Sequence, residues 1–178
     1  MQMVYNKENQ GGSFMEYQIR KAQWEDLPRI EEIYAYARQF MAETGNPNQW
    51  GKTTPLTSQL EDDIQKGLLF VTVHENTIHG VFYFYIGPDP TYGVIEDGQW
   101  RSDTPYGTIH RIAGDGSGGV LSAAVAFGKT KINHIRIDTH HDNKIMQHAV
   151  AKQGFQRSGI IHLENGSPRI AYDLLIAE

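Results

Sequence analysis

Four glycines in six residues, Gly114-Asp115-Gly116-Ser117-Gly118-Gly119, stand between a β-patterned stretch at 107–113 and a helical one that begins near Val120. Glycine lets backbone N–H groups approach a bound group closely, and the first turn of a helix offers unpaired donors and partial positive charge. A strand, such a loop and a helix make a pyrophosphate site without Lys or Arg. The plain structural reading of the same residues is a mobile turn that holds nothing. Read literally, Gly114, Gly116 and Gly119 spell the G-x-G-x-x-G of dinucleotide-binding folds, with Asp138 roughly 20 residues on at a strand end. A doubly wound fold needs several further strand–helix units, yet only 40 residues follow Asp138 and they close in a hairpin. The chain therefore needs an architecture in which such a loop comes late, and nicotinamide or flavin binding is kept only as the alternative.

Periodicity supplies that architecture. Residues 17–21 alternate like a short strand, and Asp26 and Pro28 open a helix in which Leu27, Ile30, Ile33, Tyr34 and Ala37 recur at helical spacing. A loop rich in Gly, Pro and Asn spans 45–55, and Leu60, Ile64 and Leu68 predict a second, shorter helix. Two runs of β-branched and aromatic residues, 68–73 and 78–86, flank a turn and predict a hairpin; in the second, Phe82-Tyr83-Phe84-Tyr85 reads as sheet core. A long excursion at 87–105, with three Pro, has the character of a surface loop near function. Val120, Ala123, Ala124 and Phe127 share a helix face, 134–138 is a strand, and 143–152 a helix closed by Gly154. Strands at 156–163 and 169–175 meet at Asn165-Gly166. The order β-α-α-β-β-β-α-β-α-β-β implies an α/β fold, a mixed sheet with helices on its faces.

The chain is long enough for one domain, and residues 15–178 are expected to form it, with 1–14 as a flexible leader. A net charge of −5 excludes the basic footprint that nucleic acid or an anionic membrane would require, and leaves a cationic or neutral small substrate easier to accommodate. No apolar run is long enough to span a membrane, and without a signal-peptide pattern the expected compartment is the cytoplasm. With no cysteine, a disulfide framework, a thiolate zinc site and a Cys acyl-enzyme are all excluded.

Three segments carry a family resemblance: IHRIAGDGSGG, then HIRIDTHHDNKIMQHAVAKQGF, then GIIHLENGSPRIAY. From Tyr106 onward the chain resembles a subgroup of the GNAT acetyltransferases, and its R-I-D-T-H-x-D-N-x-x-M-Q run followed by K-x-G-F is the most specific part. The resemblance implies a GNAT-like fold, a mostly antiparallel central sheet with two splayed strands flanked by helices. It implies acetyl-CoA as co-substrate, no metal, and direct transfer of acetyl to the amine of a small molecule or peptide; a homodimer is common in the family. On this likeness the strand through Arg111, Ile112 and Ala113 aligns the pantetheine arm by main-chain hydrogen bonds. The family's Gln/Arg-x-x-Gly-x-Gly/Ala loop falls on 116–121, with Ser117, Gly118, Gly119, Val120, Leu121 and Ser122 around the pyrophosphate. Gly119 fits; Gly116 stands for the Gln or Arg, and Leu121 for the small last residue. Asn143 matches the Asn that contacts the cofactor arm, and the family's thiolate-protonating Tyr falls at Val150. Those departures also raise a second class of function, a CoA-binding sensory domain without turnover.

Acetylating an amine needs a proton acceptor, a thioester at attack geometry and stabilisation of the oxyanion. The candidate base is His110, on the strand beside the expected acetyl position; an unperturbed imidazole titrates near 6.5. A half-buried structural histidine is the competing reading, with His148 as the other base. On regular alternation Arg111 faces away from the site. His140, His141 and His148 with Asp138 and Asp142 lack an open three-ligand spacing, adjacent His side chains tend to diverge, and Asp142 or Asn143 is expected to cap the next helix. Trp50 and Trp100, both in loops, are the candidates for lining an acceptor pocket.

Overall fold

The computed structural model describes residues 4–5 and 15–177. Its strands are β1 (Val4–Tyr5), β2 (Tyr17–Lys21), β3 (Leu69–His74), β4 (Thr77–Ile86), β5 (Gly107–Gly114), β6 (His134–Thr139), β7 (Gln156–His162) and β8 (Pro168–Leu175). The helices are α1 (Leu27–Glu43), α2 (Thr57–Gln65), α3 (Val120–Lys129) and α4 (Lys144–Lys152). One sheet runs in the order β1-β2-β3-β4-β5-β6-β8-β7. Every pairing is antiparallel except β5 with β6, which α3 connects. This is the mixed sheet that the periodicity predicted, mostly antiparallel as the family resemblance implies. Of the stretch 1–14, Val4 and Tyr5 pair with Gln18 and Tyr17, and the rest lies outside the described residues. Among the described residues, no helix is long and apolar enough to cross a membrane.

The two faces of the sheet carry separate cores. On one, Ile30, Ile33 and Tyr34 of α1 and Leu60 and Ile64 of α2 close over Val71, Val81 and Ala113. On the other, Ala124 and Phe127 of α3 and Val150 of α4 close over Phe82, Phe84, Ile109, Ile135 and Ile137. Strand alternation divides the aromatic run accordingly, with Phe82 and Phe84 buried and Tyr83 and Tyr85 only partly covered.

Two local devices position the site. A Cβ at Gly80 would lie 2.4 Å from Cγ2 of Val120, so only glycine lets the first turn of α3 rest on β4. The excursion predicted at 87–105 is tied down at several points. Glu96 bridges Ile160 of β7 with two backbone hydrogen bonds of 2.7 and 2.8 Å. The Arg136 guanidinium lies 3.9 Å from both the Trp100 and Tyr106 ring centroids and donates to Ser102 O.

Candidate active site

β5 and β6 run as a parallel ladder only from Gly107 to Ile109 and from Ile135 to Ile137. Beyond that point the named residues of β5 pair with β4, and those of β6 with β8. The strands fork, and His110 and Asp138 are the first residue past the ladder on each. Just beyond, Arg111 and Ile112 together oppose Phe82, and Arg111 takes a φ of 47°. Such a bulge re-aims the side chains after it. Arg111 therefore does not face away, as regular alternation predicts. It turns into the cavity, 4.4 Å from the Tyr83 ring centroid and 2.6 Å from an Asp63 carboxylate oxygen. Tyr34 Oη donates to Arg111 O at 2.6 Å and holds the bulge from behind.

The fork opens into a cavity of about 850 Å³. Ile112, Ile137, Thr139, Asn143 and Met146 line it along the fork, and Trp50, Asp89, His110, Asp138, Glu164 and Arg169 are also in its wall. At the N-terminus of α3, Gly116, Gly118 and Gly119 take φ values of 93°, 81° and 83°, the left-handed region that favours glycine. The first intrahelical acceptor serves Ala123, whose N–H donates to Gly119 O, so the amides of Val120, Leu121 and Ser122 carry no intrahelical bond. Asp115 pairs with Arg29 at 2.9 Å, lies within hydrogen-bond distance of His79 Nδ1 at 2.9 Å, and accepts from Ser117 N–H. The Leu121 side chain packs against the core beneath α3.

His110 is held between two carboxylates. Nε2 lies 2.7 Å from Asp89 Oδ2, and Nδ1 lies 3.4 Å from Asp138 Oδ2 without a hydrogen bond. Burial alone would push the Asp89 carboxyl up, but hydrogen bonds from His110 and Thr91 hold it at about 2. An ionised carboxylate only accepts, so Nε2–H of His110 donates to Asp89, and Nδ1 is the ring nitrogen left facing the fork. Asp138 accepts from Tyr92 Oη at 2.7 Å, and burial followed by Asp138 pushes the Tyr92 hydroxyl well up. This arrangement can take up a proton at Nδ1 and stabilise the imidazolium from both sides.

A stability consequence follows from Asp89. Its carboxyl titrates near 3.8 when unfolded and about 2 when folded, so its contribution is fully present above about pH 4 and lost as pH falls toward 2. Asp89→Asn should lower Tm at pH 7 and leave a smaller difference from wild type at pH 3. A difference that stays constant across that range would contradict the assignment.

Not every candidate residue converges here. Trp50 lines the cavity, edge-on to Tyr34 at 5.5 Å, whereas Trp100 donates its indole N–H to Tyr92 O and covers Arg136, outside the cavity wall. His148 is exposed on α4 and is not in the wall. Val150 is fully buried in the core. Asn143 caps α4 by accepting from Met146 N–H, and its amide donates to Gln49 Oε1. Ser122 Oγ accepts from Gln153. The rings of His140 and His141 do not diverge; their centroids lie 4.4 Å apart, and with Asp142 they offer three ligand atoms within 4.8 Å of one another. His140 Nδ1 already accepts the Asp142 N–H at 3.2 Å, as a tight connection into α4 requires. Sequence reasoning missed Asp89, Tyr92 and Arg169. For Asp89 the signal is the D-P-T run, in which a side chain caps the backbone two residues on, as Oδ1 does for Thr91 N–H at 2.8 Å.

No protein-family model and no curated protein sequence matches this chain. Solved structures do. A GNAT-family acetyltransferase from Streptococcus agalactiae 2603 is similar at 29% identity and a TM-score of 0.82, over 99% of this chain and 100% of that one. One from Listeria monocytogenes 4b F2365 shares the fold at 21% identity and a TM-score of 0.68, over 97% of this chain and 100% of that one. So does yncA of Salmonella typhimurium, solved with its cofactor acetyl-CoA, at 16% identity and a TM-score of 0.55, over 91% of this chain and 95% of that one. The likeness to the streptococcal protein runs the length of both chains, and the chain belongs to the GNAT acetyltransferase superfamily.

Proposed function

We propose that the protein transfers acetyl from acetyl-CoA to an amine, with His110 as the base. The observation that carries this reading is the placement of His110 at the crotch of the fork, its Nδ1 3.4 Å from Asp138, in the wall of a cavity of about 850 Å³. The pantetheine arm lies along Ile112 and Ala113, whose backbone past the bulge is freed from β6. The pyrophosphate meets the amides from Gly118 to Ser122, with Gly118 and Gly119 giving it room. As the amine nitrogen bonds to the thioester carbon, backbone N–H at the bulge receives the developing oxyanion and His110 Nδ1 takes the ammonium proton. The C–S bond then breaks and the same proton is available to the thiolate, so the buried Val150 need not supply one.

Acetyl-CoA at 100 times its dissociation constant should raise stability by about 2.7 kcal/mol, a Tm rise of about 5–10 °C for a chain of this size. NADH, NADPH and FAD should leave Tm unchanged. Stabilisation by a dinucleotide alone would overturn the reading, while CoA binding with no turnover over a broad amine panel would return the protein to the sensory class.

A further inference from the structure

The cavity wall holds one cation that the chemistry above does not use. Arg169, at 6% exposure, makes no ion pair with a carboxylate among the described residues, although it lines the same cavity as His110 and Asp138. Its guanidinium donates only to neutral acceptors, Ser167 Oγ, Pro168 O and, at a long 3.4 Å, Gln49 O. An arginine has five N–H donors and keeps its charge in proteins, so donors remain to be satisfied. Burial pulls its pKa below the usual arginine range, and the charge that opposes this is Asp138. The other cation in the wall, Arg111, differs, because Asp63 already neutralises it.

Register fixes where this cation stands. Asp138 pairs with Ala171 across β6 and β8, and Arg169 is two residues along β8 on the same face. As diagonal neighbours across the ladder they stand about 7–8 Å apart. A buried cation without a partner is costly, and a planar guanidinium matches a carboxylate with two parallel hydrogen bonds.

We infer that the acceptor is a small amine that also carries a carboxylate a few bonds away, an amino acid by chemical class, its amine at His110 and Asp138 and its carboxylate on Arg169. This rests on the acetyl-transfer reading and names the substrate class of the same site. It also refines the expectation of a cationic or neutral substrate drawn from net charge, because the local balance at the fork is mixed rather than acidic.

The test compares kcat/KM for free amino acids, their carboxamides and the corresponding decarboxylated amines, in wild type and in Arg169→Met. Wild type should prefer the free carboxylate by about tenfold or more, the scale of one charge-assisted pair, and the variant should bring that ratio close to one. Calorimetric titration of amino acids into the CoA complex reads the same preference without turnover, and the wild-type comparison stands even if the variant fails to fold. Equal or better use of the carboxamides, an unchanged ratio in a folded Arg169→Met, or no binding of any amino acid to the CoA complex would each overturn the inference. The acetyl-CoA titration, run separately, tells whether the underlying reading falls with it.

Discussion

His110→Gln should lower kcat by about 100- to 10,000-fold, the contribution of a positioned general base. Glutamine can still donate to Asp89 and nearly fills the space, so the fold and the 2.7 Å contact are preserved in kind while the proton acceptor at the fork is lost. The acetyl-CoA dissociation constant should change little, because backbone amides and the α3 N-terminus hold that ligand rather than the imidazole. The wild-type pH–rate profile should contain a limb contributed by the imidazole, and the variant should lack it. Near wild-type kcat in the variant, on a verified acceptor, would move the base to Asp138 or to solvent. A large loss of Tm with kcat intact would make His110 structural. Asp89→Asn should fall between the two, since it leaves the imidazole in place but no longer fixes which nitrogen carries the proton.

The second large effect is on stability. Asp63→Ala should destabilise the protein by about 3 kcal/mol, the low end of the cost of stripping one member from a buried ion pair. The low end applies because Arg111 keeps 18% side-chain exposure. For this chain length that is a Tm loss of at least about 6 °C. Burial pushes the Asp63 carboxyl up and Arg111 pulls it back only in part, so the pair's value lies in matching the guanidinium rather than in a surplus of attraction. The double variant Asp63→Leu, Arg111→Met should therefore recover much of the loss in urea unfolding while still failing to turn over substrate normally, because the bulge loses the side chain that fills it. A Tm for Asp63→Ala within 2 °C of wild type, judged against the roughly 6 °C loss expected, would show that Tyr34 alone holds the bulge.

The elements were legible because their patterns are local. Ile30, Ile33 and Tyr34 recur at helical spacing and are buried together, and Gly154 follows the last turn of α4 in the left-handed conformation that ends helices. The glycine loop was legible for the same reason. What was not legible depends on partners distant in the chain. Alternation along β5 puts Arg111 on the wrong side because Tyr34, 77 residues earlier, and Asp63, 48 residues earlier, stabilise a conformation the local sequence does not favour. Trp100 looks like a pocket residue as long as Arg136, on another strand, is not seen beneath it. Leu121 looks obstructive in a loop alignment, yet the helix turns its side chain to the core. His110 was singled out as a candidate from its neighbour in sequence, but its carboxylates arrive from an irregular excursion and from the far side of the fork.

The fastening of that excursion has a kinetic consequence. A gate moves as a body about its ends, so whatever is bound along the body must let go before it swings. Between Pro90 and Tyr106 the chain is tied to β7 through Glu96, to Asp173 through the Arg101 amide at 2.9 Å, and to β6 through the stacked Arg136. Releasing it would undo all three ties at once. The side of the cavity that carries Asp89 thus behaves as masonry rather than a door, whereas Thr54 and Leu56, also in the wall, are exposed.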